Sequence, residues 1–271
     1  MNFKMNTYKD DKEALKPIPV SSPKNNPILF FIRCLLDLQL KTITDFLSPE
    51  LTAISNNILD IGAGNAPWKS FLPDDVKYVG LDIENASEFN MRENDEIIYY
   101  SGGIFPFTDN TFSNALCVEV LEHVFDTETI LSEIYRCLEP NGKIILTVPW
   151  SARRHHLPND YFRFTPEALE LLFTNKGFVD IEIFERGNDL AMVFNKVFVL
   201  VQGLFFPKRK IILALTLPFG VILLPSLLVF FIAAHLSMKL GIGSRIDPLG
   251  YALTAKKPIM ATAHSTNSAL Y

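Results

Sequence analysis

Cysteine is scarce in this 271-residue chain. Cys34, Cys117 and Cys137 are odd in number and widely separated. That excludes a disulfide framework, and no metal-ligand set is expected; the three read as reduced, buried thiols in a reducing compartment. The first 27 residues lack an apolar core, so a cleavable secretory signal is not expected there. Acidic residues are nearly missing from the last quarter. Gly203 to Tyr271 holds seven Lys or Arg against Asp247 alone, so the net charge of −5 divides into about −11 for residues 1–202 and +6 for the rest. An acidic body with a basic, apolar tail argues against a nucleic-acid partner and for an anionic membrane surface. From Ile211 to Met238 formal charge is absent altogether, and His235 is the one ionisable group. That run exceeds the roughly 20 residues a helix needs to cross a bilayer, and few buried globular helices are so long and so uniformly apolar.

What is present upstream is an alternation of strands and helices. Short apolar runs at 57–61, 77–82, 96–100, 114–118, 143–149 and 179–184 are strand candidates. Between them, Ile130, Leu131, Ile134 and Leu138 share one face of a helix that Thr127 can cap and Pro140-Asn141-Gly142 ends. A second helix over about 166–176 begins at Pro166 and stops at Gly177. Alternation of this kind implies a parallel sheet covered on both faces. Arg33, Asp37, Lys41 and Asp45 recur at steps of four, predicting one surface helix over Ile28–Leu47 packed on the body.

The stretch with most chemical content is Ile58-Leu59-Asp60-Ile61-Gly62-Ala63-Gly64-Asn65-Ala66-Pro67. Glycine lets the backbone approach a bound small molecule. Asp82, at the end of the next strand, can accept hydrogen bonds from both hydroxyls of a ribose. Together they describe a nucleoside pocket at the carboxyl edge of the sheet. Trp150 to Thr165, after the fifth strand, brings His155, His156, Asp160, Tyr161 and three arginines to the same edge. His155, His156 and Asp160 are the candidate catalytic residues, histidine there being a natural base; the alternative is that Asp160 pairs with Arg163 merely to pin the loop. Glu122 and His123 have the blander reading of capping the helix that follows, and Trp68 and Phe71 read as core.

Asp60-x-Gly62-x-Gly64, Asp82, the run Cys117-Val118-Glu119-Val120-Leu121-Glu122-His123-Val124 and the segment Ile134 to Lys143 resemble the class I, Rossmann-like S-adenosylmethionine-dependent methyltransferases, in their small-molecule type 11-like branch. The resemblance covers about 56–187 and 249–257. It implies a doubly wound, mostly parallel α/β sheet with an antiparallel last strand, and S-adenosyl-L-methionine as cofactor. It also implies that Asp60, Gly62, Ala63 and Gly64 hold the amino-acid end, with Asp60 near the ammonium. Asp82 would take the ribose, Ile83, Gly102 and Gly103 the adenine, and Glu119 the place where methionine and acceptor meet. Ala66 stands where the family often has glycine, which is tolerated if that residue is helical. A nicotinamide-dependent oxidoreductase would use the same loop and Asp82, but its fingerprint wants glycine at Pro67. A membrane-tethered scaffold that binds the cofactor without catalysis is the non-enzyme alternative.

The family closes its sheet with paired strands, for which Val179–Phe184 and Gly250–Ala255 are suited. The expected organisation is an arm (1–27), a methyltransferase domain with an N-terminal helix (28–189), an apolar helical membrane-associated insertion (190–247), the last strand (248–258) and a tail (259–271). Both ends of the insertion must then lie on one side of the bilayer, here the cytoplasmic face. The positive-inside tendency favours a re-entrant hairpin within 211–238, bent near Pro218 or Pro225-Ser226, over two crossings that would carry Lys208, Arg209 and Lys210 across. The function expected is methylation, on oxygen, of a small-molecule or lipid-linked acceptor at a membrane.

Overall fold

The computed structural model describes residue 20 and residues 22–84, 94–207 and 210–259. The expected arm and tail lie mostly outside these residues, as do Lys208 and Arg209. The strands are β1 (Asn57–Ile61), β2 (Lys77–Ile83), β3 (Ile97–Tyr100), β4 (Phe112–Val118), β5 (Leu138–Pro149), β6 (Val179–Arg186) and β7 (Gly250–Lys256). They form one sheet in the order β3-β2-β1-β4-β5-β7-β6. The first five pair in parallel, and β7 lies antiparallel between β5 and β6, the closing strand arrangement that the resemblance implies.

Strand side chains alternate between faces, and the two faces have separate cores. Leu59 and Ile61 pack with Ile130, Leu131 and Ile134 of α3 (Thr127–Cys137) and with Leu169 and Phe173 of α4 (Pro166–Asn175). On the opposite face Ile58 meets Leu40, Ile43, Leu47 and Leu51 of α2 (Leu38–Thr52), and Trp68 from a 3-10 turn at Pro67–Phe71. Pro166 occupies the first turn of α4, and Gly177, at φ +89°, follows its end.

Three local expectations need correction. The helix predicted over 28–47 is two, α1 (Pro27–Leu36) and α2, because Asp37 turns extended and its carboxylate accepts the Leu40 N–H at 3.2 Å. This is an N-cap within the run of predicted turns. Of the charge stripe, Lys41–Asp45 forms an ion pair at 2.6 Å, and α1 buries no residue against the body. The cap of α3 is Asp126, accepting from Thr129 N, rather than Thr127.

Between β6 and β7 the chain leaves the sheet as a helical hairpin, α5 (Asp189–Phe205) and α6 (Leu213–Leu240). The bend expected at Pro218 or Pro225-Ser226 is not present: α6 runs unbroken through both prolines, about 42 Å long at 1.5 Å per residue. The reversal lies instead between the two helices, where Gly220 lets Phe205 approach closely. At the foot, Asn188 Nδ2 donates to Ser237 Oγ (3.0 Å) and to the Ile242 carbonyl (2.8 Å), and Asp189 N donates to the Ser244 carbonyl. The hairpin therefore leaves and returns at one point on the sheet. A core helix would be buried, yet α6 buries just Gly220, Ala234 and Ser237, and Leu215, Ile222 and Val229 are 70%, 69% and 63% exposed. Lys210–Leu240 is long and apolar enough to cross a membrane.

Candidate active site

The loop after β1 folds onto the end of β2. Gly62 N (2.8 Å) and Ala63 N (3.2 Å) donate to the Leu81 carbonyl. Gly62 (φ +69°) and Gly64 (φ +55°) take left-handed conformations that side chains disfavour, and a Cβ on Gly62 would collide with Val120. Asp82 ties the two strand ends together, its carboxylate accepting from Gly64 N and from Ile83 N, each at 2.8 Å. Burial pushes this carboxyl up, and those two N–H groups hold it back. Gly102 (φ +92°) and Gly103 (φ +78°) form the turn after β3, with open space where a Cβ would stand. The result is a backbone cradle beside a carboxylate, which fits an adenosyl group. Ala66 is not helical: it is left-handed at φ +50°, which costs a non-glycine residue about 1 kcal/mol.

Asp60 has a partner within the protein. It is buried, and the Tyr78 hydroxyl donates to it at 2.7 Å. Burial, opposed by that bond and reinforced by the charge of Asp82, pushes its carboxyl up to about 7, against roughly 3.9 in an unfolded chain. The folded protein thus holds this proton to higher pH than the unfolded chain, so ionised Asp60 destabilises the ligand-free fold. Stability relative to the Asp60→Asn variant, in which the amide oxygen still accepts from Tyr78, should fall as pH rises from about 4 to about 7 and then level off. The slope should approach about 1.4 kcal/mol per pH unit, read from paired denaturant titrations.

Past β4 lies a dense polar cluster. Glu119, itself left-handed at φ +53°, accepts from Arg186 at 2.7 Å. Arg186 is buried and also donates to the carbonyls of Val148 (3.0 Å) and Tyr251 (3.2 Å). Glu122 caps nothing. It is fully buried, neither carboxylate oxygen accepts a hydrogen bond, and burial together with the charge of Glu119 pushes it well up. Its backbone carbonyl accepts from Tyr161 N and Phe162 N, which brings the Trp150–Thr165 loop down on the Glu119–His123 segment. Asp160 pins that loop: Arg163 donates to both its oxygens (2.6 and 3.0 Å), and His155 N to one of them (3.0 Å). These bonds overcome burial and hold its carboxyl low. Asp160, expected among the catalytic residues, thus has both oxygens engaged in holding the loop. His155 and His156 come together with His123, ring centroids 4.7 and 5.2 Å from it. Burial pushes all three imidazoles down, His123 and His156 to about 4.

The sequence reading missed Tyr78, Arg186 and the joining of His123 to the two later histidines. Tyr78 was legible in principle, two residues before Gly80, which faces Asp60 across the strand pair. The other two depend on contacts between segments far apart in the chain.

A family model described as a methyltransferase domain matches residues 35–183. Phosphoethanolamine N-methyltransferase 2 of Caenorhabditis elegans is 31% identical over 101 residues, which cover 34% of this chain and 23% of that protein. Demethylmenaquinone methyltransferase of Geobacillus sp. is 27% identical over 167 residues, covering 46% of this chain and 71% of that one. Among solved structures, the cyclase SpnF superimposes with a TM-score of 0.51 at 18% identity, over 81% of this chain and 82% of that chain; this likeness bears on the fold alone. The chain belongs to the methyltransferase-domain family, with the fold of the class I S-adenosylmethionine-dependent methyltransferases. Its cofactor is S-adenosylmethionine.

Proposed function

We propose that this protein transfers a methyl group to a hydroxyl of a lipid-linked or amphiphilic acceptor at the cytoplasmic face of a membrane, with 28–189 and 248–258 as the catalytic unit and 190–247 as the membrane-associated insertion. Asp60, Gly62, Ala63 and Gly64 would hold the amino-acid end of S-adenosylmethionine, Asp82 the ribose, Ile83, Gly102 and Gly103 the adenine, and Glu119 the boundary with the acceptor. When bound, the cofactor supplies an electrophilic methyl on a sulfonium, and in-line transfer from it depends mainly on positioning and exclusion of water.

The observation that carries the reading is the contact of Val120 with Gly62: the cofactor cradle and the histidine-bearing Glu119–His123 segment meet at one sheet edge. The acceptor would sit against His155 and His156, with Asp160 holding their loop in place. Exposed Phe125 and Tyr161, ring centroids 5.6 Å apart, give that edge an apolar rim suited to an amphiphile. The same loop is tied to the hairpin. Lys196 of α5 donates to the Ser151 carbonyl at 2.7 Å, and Trp150 Nε1 donates to Asp247 at 3.0 Å, which favours an acceptor presented from a bilayer.

Asp82→Ala is the direct test of the cradle. Losing two hydrogen bonds to a charged group costs about 3 kcal/mol, so S-adenosylhomocysteine should bind roughly 100-fold more weakly by calorimetry. Unchanged affinity would remove the ribose contact, and with it this placement of the cofactor.

A further inference from the structure

The buried polar cluster beside the acceptor edge holds more than a methyl transfer by positioning requires. Three imidazoles from two distant segments, His123 and the adjacent His155 and His156, place ligand atoms within 4.8 Å of one another. Glu122 Oε1 stands 3.6 Å from His123 Nε2 and 3.9 Å from His155 Nε2. Donors bound to a tetrahedral zinc ion at its usual bond lengths lie about 3.3 Å apart, so these atoms need contract by less than an ångström or two.

Tautomers are set as metal binding requires. His123 Nδ1 lies 2.6 Å from the Asn159 carbonyl and His155 Nδ1 lies 3.1 Å from the Arg153 carbonyl. A carbonyl can only accept, so each Nδ1 carries the hydrogen and each Nε2, the ring nitrogen within 4 Å of Glu122 Oε1, carries the lone pair. Backbone carbonyls hold metal-bound histidines in this way in many sites. Glu122 supplies the independent sign of a ligand. Its side chain is fully buried, and neither oxygen accepts a hydrogen bond, so the group must either keep a proton or meet a cation.

We propose that His123, His155, His156 and Glu122 bind one divalent transition-metal ion, of the borderline softness that imidazole and carboxylate donors favour, such as Zn2+ or Co2+. The ion would clamp the Trp150–Thr165 loop onto the Glu119–His123 segment and neutralise Glu122. The binding claim stands on these four side chains. That the ion lies at the acceptor edge rests on the function proposed above.

The test is titration of untagged, full-length, chelator-treated protein with Co2+, followed by its visible d–d absorption, with metal content of Zn2+-loaded protein measured in parallel. S-adenosylhomocysteine affinity is measured on the same samples. Expected are about one equivalent of Co2+ with tetrahedral-type absorption, and affinity at least tenfold weaker in Glu122→Gln and weaker still in His123→Ala and His156→Ala, with S-adenosylhomocysteine binding retained. Absence of saturable uptake by the wild type, or variants that bind Co2+ as tightly as it does, would overturn the proposal. A wild type that binds Co2+ but not S-adenosylhomocysteine would instead contradict the cofactor reading, so the two failures are separable.

Discussion

Three lysines placed on the exposed side of α6, in a Leu215→Lys/Ile222→Lys/Val229→Lys variant, should move the protein from the membrane fraction to the soluble fraction. These side chains are 70%, 69% and 63% exposed, so the substitutions remove little packing from the folded chain. In hydrocarbon each lysine costs about 2.5–3.5 kcal/mol near the middle of a helix, and three together approach 9 kcal/mol. The hairpin is otherwise joined to the body by Lys196, which donates to the Ser151 carbonyl, and by a small apolar cluster around Leu38, Phe194 and Leu249, which the variant leaves alone. S-adenosylhomocysteine binding should therefore survive. A variant that still sediments with membranes and resists alkaline extraction would place the anchor outside α6, and α1, with its apolar and exposed Ile28, Leu29, Phe31 and Ile32, would be the next segment to alter.

Arg186→Met should be the most destabilising single change at the site. The guanidinium is buried, joins β4 to β5 and β7 through Glu119, Val148 and Tyr251, and is the positive charge lying closest to Glu119 among its hydrogen-bond partners. Burial pulls Arg186 down, and the charges of Glu119 and Glu122 act against that. Removing the guanidinium leaves Glu119, whose side chain is 23% exposed, and two buried carbonyls without their donor, a loss of about 3 kcal/mol. Roughly 10 °C in Tm follows for a chain of this size, and Glu119→Gln in the same chain should restore part of it. Gly250 belongs to the same arrangement, since a Cβ there would run into Arg186 and the Val148 carbonyl. A loss below about 1 kcal/mol in Arg186→Met would mean that this pair does not hold the sheet edge.

Most strands were legible as short apolar runs, and β1 matches its predicted limits to the residue; β5 is the exception, beginning at Leu138 and running through Pro140-Asn141-Gly142, which was expected as the turn that ends α3. The antiparallel pairing of β6 with β7 followed from resemblance rather than from local pattern. What failed was decided by single residues or by distant contacts. Asp37 fits a continuous helical stripe by spacing, yet a short carboxylate at that point caps the following helix better than it continues the preceding one. Pro218 and Pro225 signal a break by local rule, but α6 packs along α5 and continues as one helix through both. Ala66 was acceptable as a helical residue and is left-handed instead. Glu122 looked like a helix-terminal acid. Its burial depends on Tyr161 and Phe162, almost forty residues later, closing over it, and the gathering of His123 with His155 and His156 has the same cause. The cofactor cradle was the most legible part because it is local: Asp60 to Gly64 and Asp82 sit on adjacent parallel strands.

The central claim, that this cradle takes S-adenosylmethionine, is tested most directly by calorimetry of the full-length protein with S-adenosylhomocysteine and, separately, with NAD. Pro67, which begins a 3-10 turn, stands where a dinucleotide fingerprint needs glycine. The expected result is saturable binding of S-adenosylhomocysteine at about one per chain and no measurable heat with NAD. Binding of NAD without binding of S-adenosylhomocysteine would contradict it.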